Sequence, residues 1–304
     1  MIDTPALLNH VGLGVHRRLL ATILRPEGVT IKSLFSFALA AGLVVGLAVP
    51  TNAAFERRFS IRCDITHKSH DDPIVFPGMD EASAHKHAFF GNRGTTEDPS
   101  YDAMLDNPTS CALLADTAAY WNPVLENIAT GELATPTRAL VYYRSTAKMA
   151  DDPVVAFPPD FRFVSNDVAW LCKDSEVFAS PPNCDGSPGR SIPPSKSIGL
   201  RILFREVCWD GQQLAPGSRY EDHTVPLEAP AGGDRECAAG QVQLPHFQMN
   251  IRWPAGLLDG TTWQLHGVHG HGDFWNTWNQ SALVALVERC LQPSTQAMCG
   301  LQQG

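Results

Sequence analysis

Two short stretches concentrate the residues that could do chemistry. His85 and His87 flank Lys86 just ahead of Ala88-Phe89-Phe90-Gly91, and His266, His269 and His271 lead into Asp273-Phe274. On extended backbone, residues two apart share a face, so each stretch would present its imidazoles to one side. Glycines at 267, 270 and 272 leave room for close backbone approach by a ligand. Five of the eleven histidines lie in these stretches, and that clustering favours a shared site over scattered surface histidines.

Two chemistries could use such a set. Two imidazoles and a carboxylate, as in His269, His271 and Asp273, can hold a divalent metal ion with positions left for water or substrate. Without metal, the carboxylate orients the ring and supports its imidazolium in general acid-base work. His85, His87 and His271 are the candidate metal ligands, and with Asp273 they are also the candidate catalytic groups. Asp210, in the Trp209-Asp210-Gly211 corner after Cys208, suits a turn cap as well as a site. The chain has no Gly-x-Ser-x-Gly elbow, no His-Glu-x-x-His, no Walker A loop and no Gly-x-Gly-x-x-Gly. Trp121, Trp170, Trp253, Trp263, Trp275 and Trp278 could stack on sugar rings, although core packing is the commoner use of tryptophan.

The elements that must position these groups read as strands. Arg138–Arg144, Ser197–Glu206, Phe247–Trp253 and Thr261–Val268 are rich in β-branched and aromatic residues and are bounded by Pro or Gly. They predict a mainly β domain, a β-sandwich or jelly roll, with a few short helices and long disulfide-stapled loops. Helices are expected around Ser110–Tyr120, with Ser110 as N-cap, and over Asn279–Leu291, where Leu283, Leu286, Val287 and Cys290 recur at helical spacing. Residues 179–197 and 215–240 read as loops.

The N-terminal part sets the compartment. Ser33–Val49 is an uncharged apolar run, preceded by Arg17, Arg18, Arg25 and Lys32 and followed by the small residues 51–54. That layout predicts a signal segment over residues 1–54 and one exported domain over 55–304; left uncleaved, the run would be a membrane anchor. All eight cysteines lie beyond it. An even count in an exported chain predicts four disulfides, and local pairing gives Cys172–Cys184, Cys208–Cys237, Cys290–Cys299 and, by default, Cys63–Cys111. The net charge of -9 argues against a nucleic-acid partner.

Pro73–Asn92, Cys111–Leu125, Tyr142-Tyr143-Arg144, Ile202–Gly211, His223 and His271–Trp278 stand in this order along the chain. Together they resemble the family catalogued as domain of unknown function nineteen-ninety-six, found in secreted proteins. The resemblance marks His85, His87, Asp210, His223, His271 and Asp273 as the recurring polar positions, and these six are the candidate catalytic residues. It also implies secretion and association with a cell wall. A secreted carbohydrate-active protein follows as the leading expectation, a hydrolase or lyase acting on an extracellular glycan through a His/Asp cleft. A non-catalytic wall or glycan binder and a metal-binding surface protein are the alternatives.

Overall fold

The computed structural model describes residues 57–145, 153–172, 176–178, 198–204, 206–215, 224–226, 237–254, 263–266, 270–295 and 299–302. The N-terminal apolar segment, the loop carrying Cys184, His223 and His269 lie outside the described residues.

Two sheets face each other. The larger has seven strands in the order Glu176–Phe178, Val168–Cys172, Ile198–Phe204, His246–Arg252, Arg138–Ser145, Arg57–Cys63 and Gly300–Gln302. Its pairings are antiparallel except the last, where Gly300–Gln302 runs parallel to Arg57–Cys63. The smaller is antiparallel throughout, in the order Ile65–Ser69, His87–Gly91, Ala119–Pro123, Gly272–Trp275 and Arg162–Ser165. Short three-stranded pieces flank this pair.

Period-two alternation explains how the sheets meet. From the large sheet, Phe59, Ile61, Val141, Tyr143, Phe247, Met249, Leu200, Ile202 and Phe204 turn inward and are buried. Ala88, Phe90, Tyr120, Phe163 and Phe274 answer from the small sheet. Their rings interlock, with Phe247 4.7 Å from Phe274 and Phe163 5.0 Å from Phe204. Gly272 allows the close approach: a Cβ there would lie 2.6 Å from Ile202 Cδ1 of the facing sheet. The chain is thus mainly β, built as a sandwich, as expected.

A chain of hydrogen bonds runs through this core. Trp278 Nε1–H donates to the Tyr143 hydroxyl at 2.9 Å, that hydroxyl lies 2.9 Å from Tyr120 OH, and Tyr120 OH donates to Asp116. Asp116 is fully buried, and burial lifts its carboxyl to about 8 against the hydrogen bonds it accepts.

The helix expected over Asn279–Leu291 is present as Gln280–Cys290. Asn279 caps it through the Ala282 N–H, and Leu283, Leu286, Val287 and Cys290 are buried. The helix expected over Ser110–Tyr120 is not formed. Ser110 Oγ accepts the Gly91 N–H and donates to the Asp64 carbonyl, Cys111 is bonded to Cys63, and Ala119–Pro123 is the central strand of the small sheet. Tertiary bonds override a helical pattern there, because each face of that strand has its own layer to fill. The first helix is instead Tyr101–Asp106, capped by Ser100.

Three of the four expected disulfides are formed: Cys63–Cys111, Cys208–Cys237 and Cys290–Cys299. The fourth pairing falls outside the described residues. Bonds of this kind mark a protein that matures in an oxidising compartment. Among the described residues, no helix is long and apolar enough to cross a membrane.

Candidate metal centre

The outer face of the small sheet carries the site. Because Ala88, Phe90, Tyr120 and Phe274 turn to the core, their neighbours His87, Phe89, Trp121, Asp273 and Trp275 turn the other way. The pairs Phe89↔Trp121 and Asp273↔Trp121 form one cross-strand row. In the next row His87 pairs with Pro123, and the same register carried one step past Gly272 sets His271 on the other side of Pro123. Two strands that are 184 residues apart in sequence therefore aim one imidazole each over a single proline.

His85 completes the group from the loop before its strand. Its Nε2 lies 2.8 Å from His271 Nε2, and His87 Nε2 lies 3.3 Å from the same atom. The ring centroids are 4.5–5.2 Å apart, each pair edge-on. The two motifs thus meet in one site.

Backbone and side-chain partners lock the rings from behind. The Asp71 carbonyl can only accept, so His87 donates to it through Nδ1–H at 2.9 Å. His271 Nδ1 lies 2.8 Å from Asp273 Oδ2, a carboxylate with no solvent exposure. Ser83 Oγ lies 3.4 Å from His85 Nδ1. With Nδ1 protonated, neutral His87 and His271 point bare lone pairs at one another across 3.3 Å. A cation makes that arrangement favourable, either a proton on His271 Nε2 shared with His85 and His87 or a metal ion among the three.

The electrostatics agree. Burial lowers His87 well below the ordinary histidine value, and burial followed by the charge of His271 pushes His85 down to about 4. Burial also opposes the charged form of His271, but the Asp273 charge and hydrogen bond, helped by Asp72, outweigh it and raise the ring. Two imidazoles held neutral offer bare donors to a cation, while the raised His271 favours a proton that a metal ion would displace on binding. Tetrahedral bonds of about 2.0–2.1 Å set neighbouring donor nitrogens roughly 3.3 Å apart, which matches His87 and His271, whereas His85 Nε2 stands at hydrogen-bond distance from His271 Nε2, 2.8 Å. An all-imidazole set suits zinc, copper, iron or nickel, whereas calcium and magnesium take oxygen ligands.

A model of the family described as Domain of unknown function (DUF1996) matches residues 72–278, about two thirds of the chain. The chain belongs to that family. No curated protein and no solved structure matches it. The matched range of the DUF1996 domain takes in the three imidazoles and Asp273, together with the strands that align them.

The remaining expected site residues fare differently. Asp210 caps a turn, its Oδ1 accepting the N–H groups of Gln212 and Gln213 at 2.8 and 3.0 Å, and none of its contacts reaches the triad. His223 and His269 lie outside the described residues, so the expected set of His269, His271 and Asp273 falls partly outside them as well. Asp273 stands behind His271 rather than beside the shared nitrogens.

Sequence reading missed Asp71, Asp72 and Ser83. Asp72 is buried, its Oδ1 accepting the Ile74 and Val75 N–H groups. Burial, and then the charge of Asp273, pushes its carboxyl up to about 7. The polar run Ser69-His70-Asp71-Asp72 at a strand end was the available signal.

Proposed function

We propose that this chain is an exported metal-dependent hydrolase in which His85, His87 and His271 hold one transition-metal ion. The observation that carries the reading is the facing pair of Nε2 atoms, 3.3 Å apart, on rings whose Nδ1 atoms are already committed to Asp71 O and Asp273. Three protein ligands leave a coordination position for water, and a bound divalent ion lowers the pKa of such a water toward neutrality. Asp273 holds His271 in the ligating tautomer and raises its basicity, while the Asp71 carbonyl does the same for His87. Phe89 and Trp121 form an apolar floor beside the rings, which keeps the local dielectric low.

An extracellular polymer is the proposed substrate, with a glycan first among the candidates because the domain matures in an oxidising compartment. The support once offered by tryptophan is withdrawn. Trp121, Trp170, Trp253, Trp263, Trp275 and Trp278 are all buried, so none of them presents a face to a sugar. Those six residues thus lend no support to a glycan-binding platform, and the metal centre leads the reading.

Metal analysis of protein purified without a histidine tag, reconstituted with zinc or copper and then dialysed, tests the proposal. About one equivalent per chain is expected, falling to background in His271→Ala with the circular dichroism spectrum unchanged. Retention of no metal by the wild type would overturn it.

A further inference from the structure

We propose that His266 is a positioning residue of this centre, holding the backbone between His85 and His87, a role that rests on the metal-binding reading above. Lys86 separates the two ligands in sequence, so the direction of its peptide groups fixes where both imidazoles leave the chain. The Lys86 carbonyl accepts the Val124 N–H at 2.9 Å, and the Lys86 N–H donates to His266 Nδ1 at 2.9 Å. The His266 N–H donates in turn to the Val124 carbonyl at 2.8 Å. Three hydrogen bonds thus close a ring through Lys86, Val124 and His266.

Val124 is the joint at which the chain leaves one sheet for another. Ala119–Pro123 pairs with His87–Gly91 in the small sheet, and Leu125–Asn127 pairs with Trp263–Leu265 in a three-stranded piece. His87 faces Pro123, which has no N–H to give, so the next residue supplies the bond to Lys86. The Lys86 N–H is met by a side chain instead of a strand, and its acceptor is His266 Nδ1. A backbone N–H can only donate, so Nδ1 carries the lone pair and the His266 proton sits on Nε2. That atom faces Glu126 Oε2 at 3.7 Å, from the residue that pairs with Gln264. The carboxylate therefore favours the tautomer that accepts.

The other hold on His85 is slight. Ser83 Oγ lies 3.5 Å from the His85 backbone nitrogen and 3.4 Å from His85 Nδ1, both at the long limit of a hydrogen bond. The bonds at Lys86 are short, and His87 is anchored separately by the Asp71 carbonyl. Removing the His266 acceptor would leave the Lys86 N–H without its partner and free His85 first. His266 is not among the three residues whose ligand atoms lie within 4.8 Å of one another, so it acts through the peptide chain rather than on the metal.

The test loads the exported protein with cobalt(II), whose visible absorption reports its ligand number, and compares wild type with His266→Leu and His266→Asn. The asparagine amide oxygen stands where Nδ1 does and can accept the same N–H, whereas leucine fills the space without an acceptor. Cobalt affinity, read by chelator competition well below the lowest Tm, should fall about 10–100-fold in His266→Leu. Its absorption at saturation should change with the loss of one ligand. His266→Asn should keep the wild-type affinity and spectrum, and Tm should match in all three proteins. A leucine variant with wild-type affinity or an unaltered spectrum overturns the role of His266 and leaves the metal centre standing. So does an asparagine variant that loses as much as leucine, or a loss that tracks a lower Tm in both. Wild-type protein that holds no cobalt overturns the metal centre itself, and the role of His266 falls with it.

Discussion

At the scale of single residues, the chemistry depends on groups that hold other groups. Asp273 touches no ligand nitrogen of the shared triad except through His271, yet it sets that ring's tautomer and charge. Asp273→Asn should weaken zinc binding about 10–100-fold, as removal of such a partner commonly does, read by competition with a chromophoric chelator. Asp116, remote from the centre, governs a different property. Its carboxyl titrates at about 8 when folded against an ordinary 3.8, so the folded state holds a proton that the unfolded chain releases. The stability this contributes is fully present below the unfolded value and is lost as pH rises toward 8. Asp116→Asn, which keeps the shape without the charge, should remove that dependence. Tm measured from pH 4 to 8 should decline for the wild type relative to the variant, and parallel curves would refute the assignment.

At the scale of elements, the small sheet works as a ruler. Its strands bring His87 and His271 to either side of Pro123, and its turns keep the register. Gly91 ends the strand that His87 begins, at φ +78°, where an added Cβ would come 2.1 Å from the Ala118 carbonyl oxygen. Backbone conformation alone makes Gly91→Ala cost about 1–3 kcal/mol, and the clash with a backbone atom adds to it. Urea unfolding should report the loss, and zinc affinity should fall as the strand shifts. Helix Gln280–Cys290 has a supporting role: it closes the sandwich with Leu283, Leu286 and Val287 and is tied to the last strand by Cys290–Cys299.

At the scale of the whole molecule, disulfide crosslinks hold the sandwich. All eight cysteines should be oxidised, and thiol titration of the denatured, unreduced protein should find no free sulfhydryl. Removing one pair should cost about 2–5 kcal/mol. A metal ion held by the triad would be a second crosslink, because His85, His87 and His271 come from separate segments of the chain. Zinc at a hundred times its Kd should stabilise the fold by about 2.7 kcal/mol, and a chelator should reverse the shift in Tm. His85→Ala should show neither response.

Much of this architecture is determined by local sequence. Alternating runs such as Arg138–Arg144 and Phe247–Trp253 encode strands because period-two burial needs only neighbouring residues. Asn279 and the spacing of Leu283, Leu286 and Val287 likewise encode a capped helix, and nearness in sequence points to the pairs Cys208–Cys237 and Cys290–Cys299. The same local pattern misled at Ser110–Tyr120, where a disulfide, the bonds of Ser110 and a two-faced strand outweigh helical propensity. The site lay half within reach of such reading. Two histidine motifs are visible in the chain, but their meeting depends on which strands flank Ala119–Pro123, a pairing between residues more than 180 positions apart. Strand order of that range is decided by the packing of the entire sandwich, since no local period specifies a partner. His85, His87 and His271 were already legible as a ligand set, but the folded chain alone decides that Asp273 stands behind His271. It also brings Asp71 and Ser83 to the centre, because a loop positions its residues through the contacts it makes rather than through any repeat in its sequence.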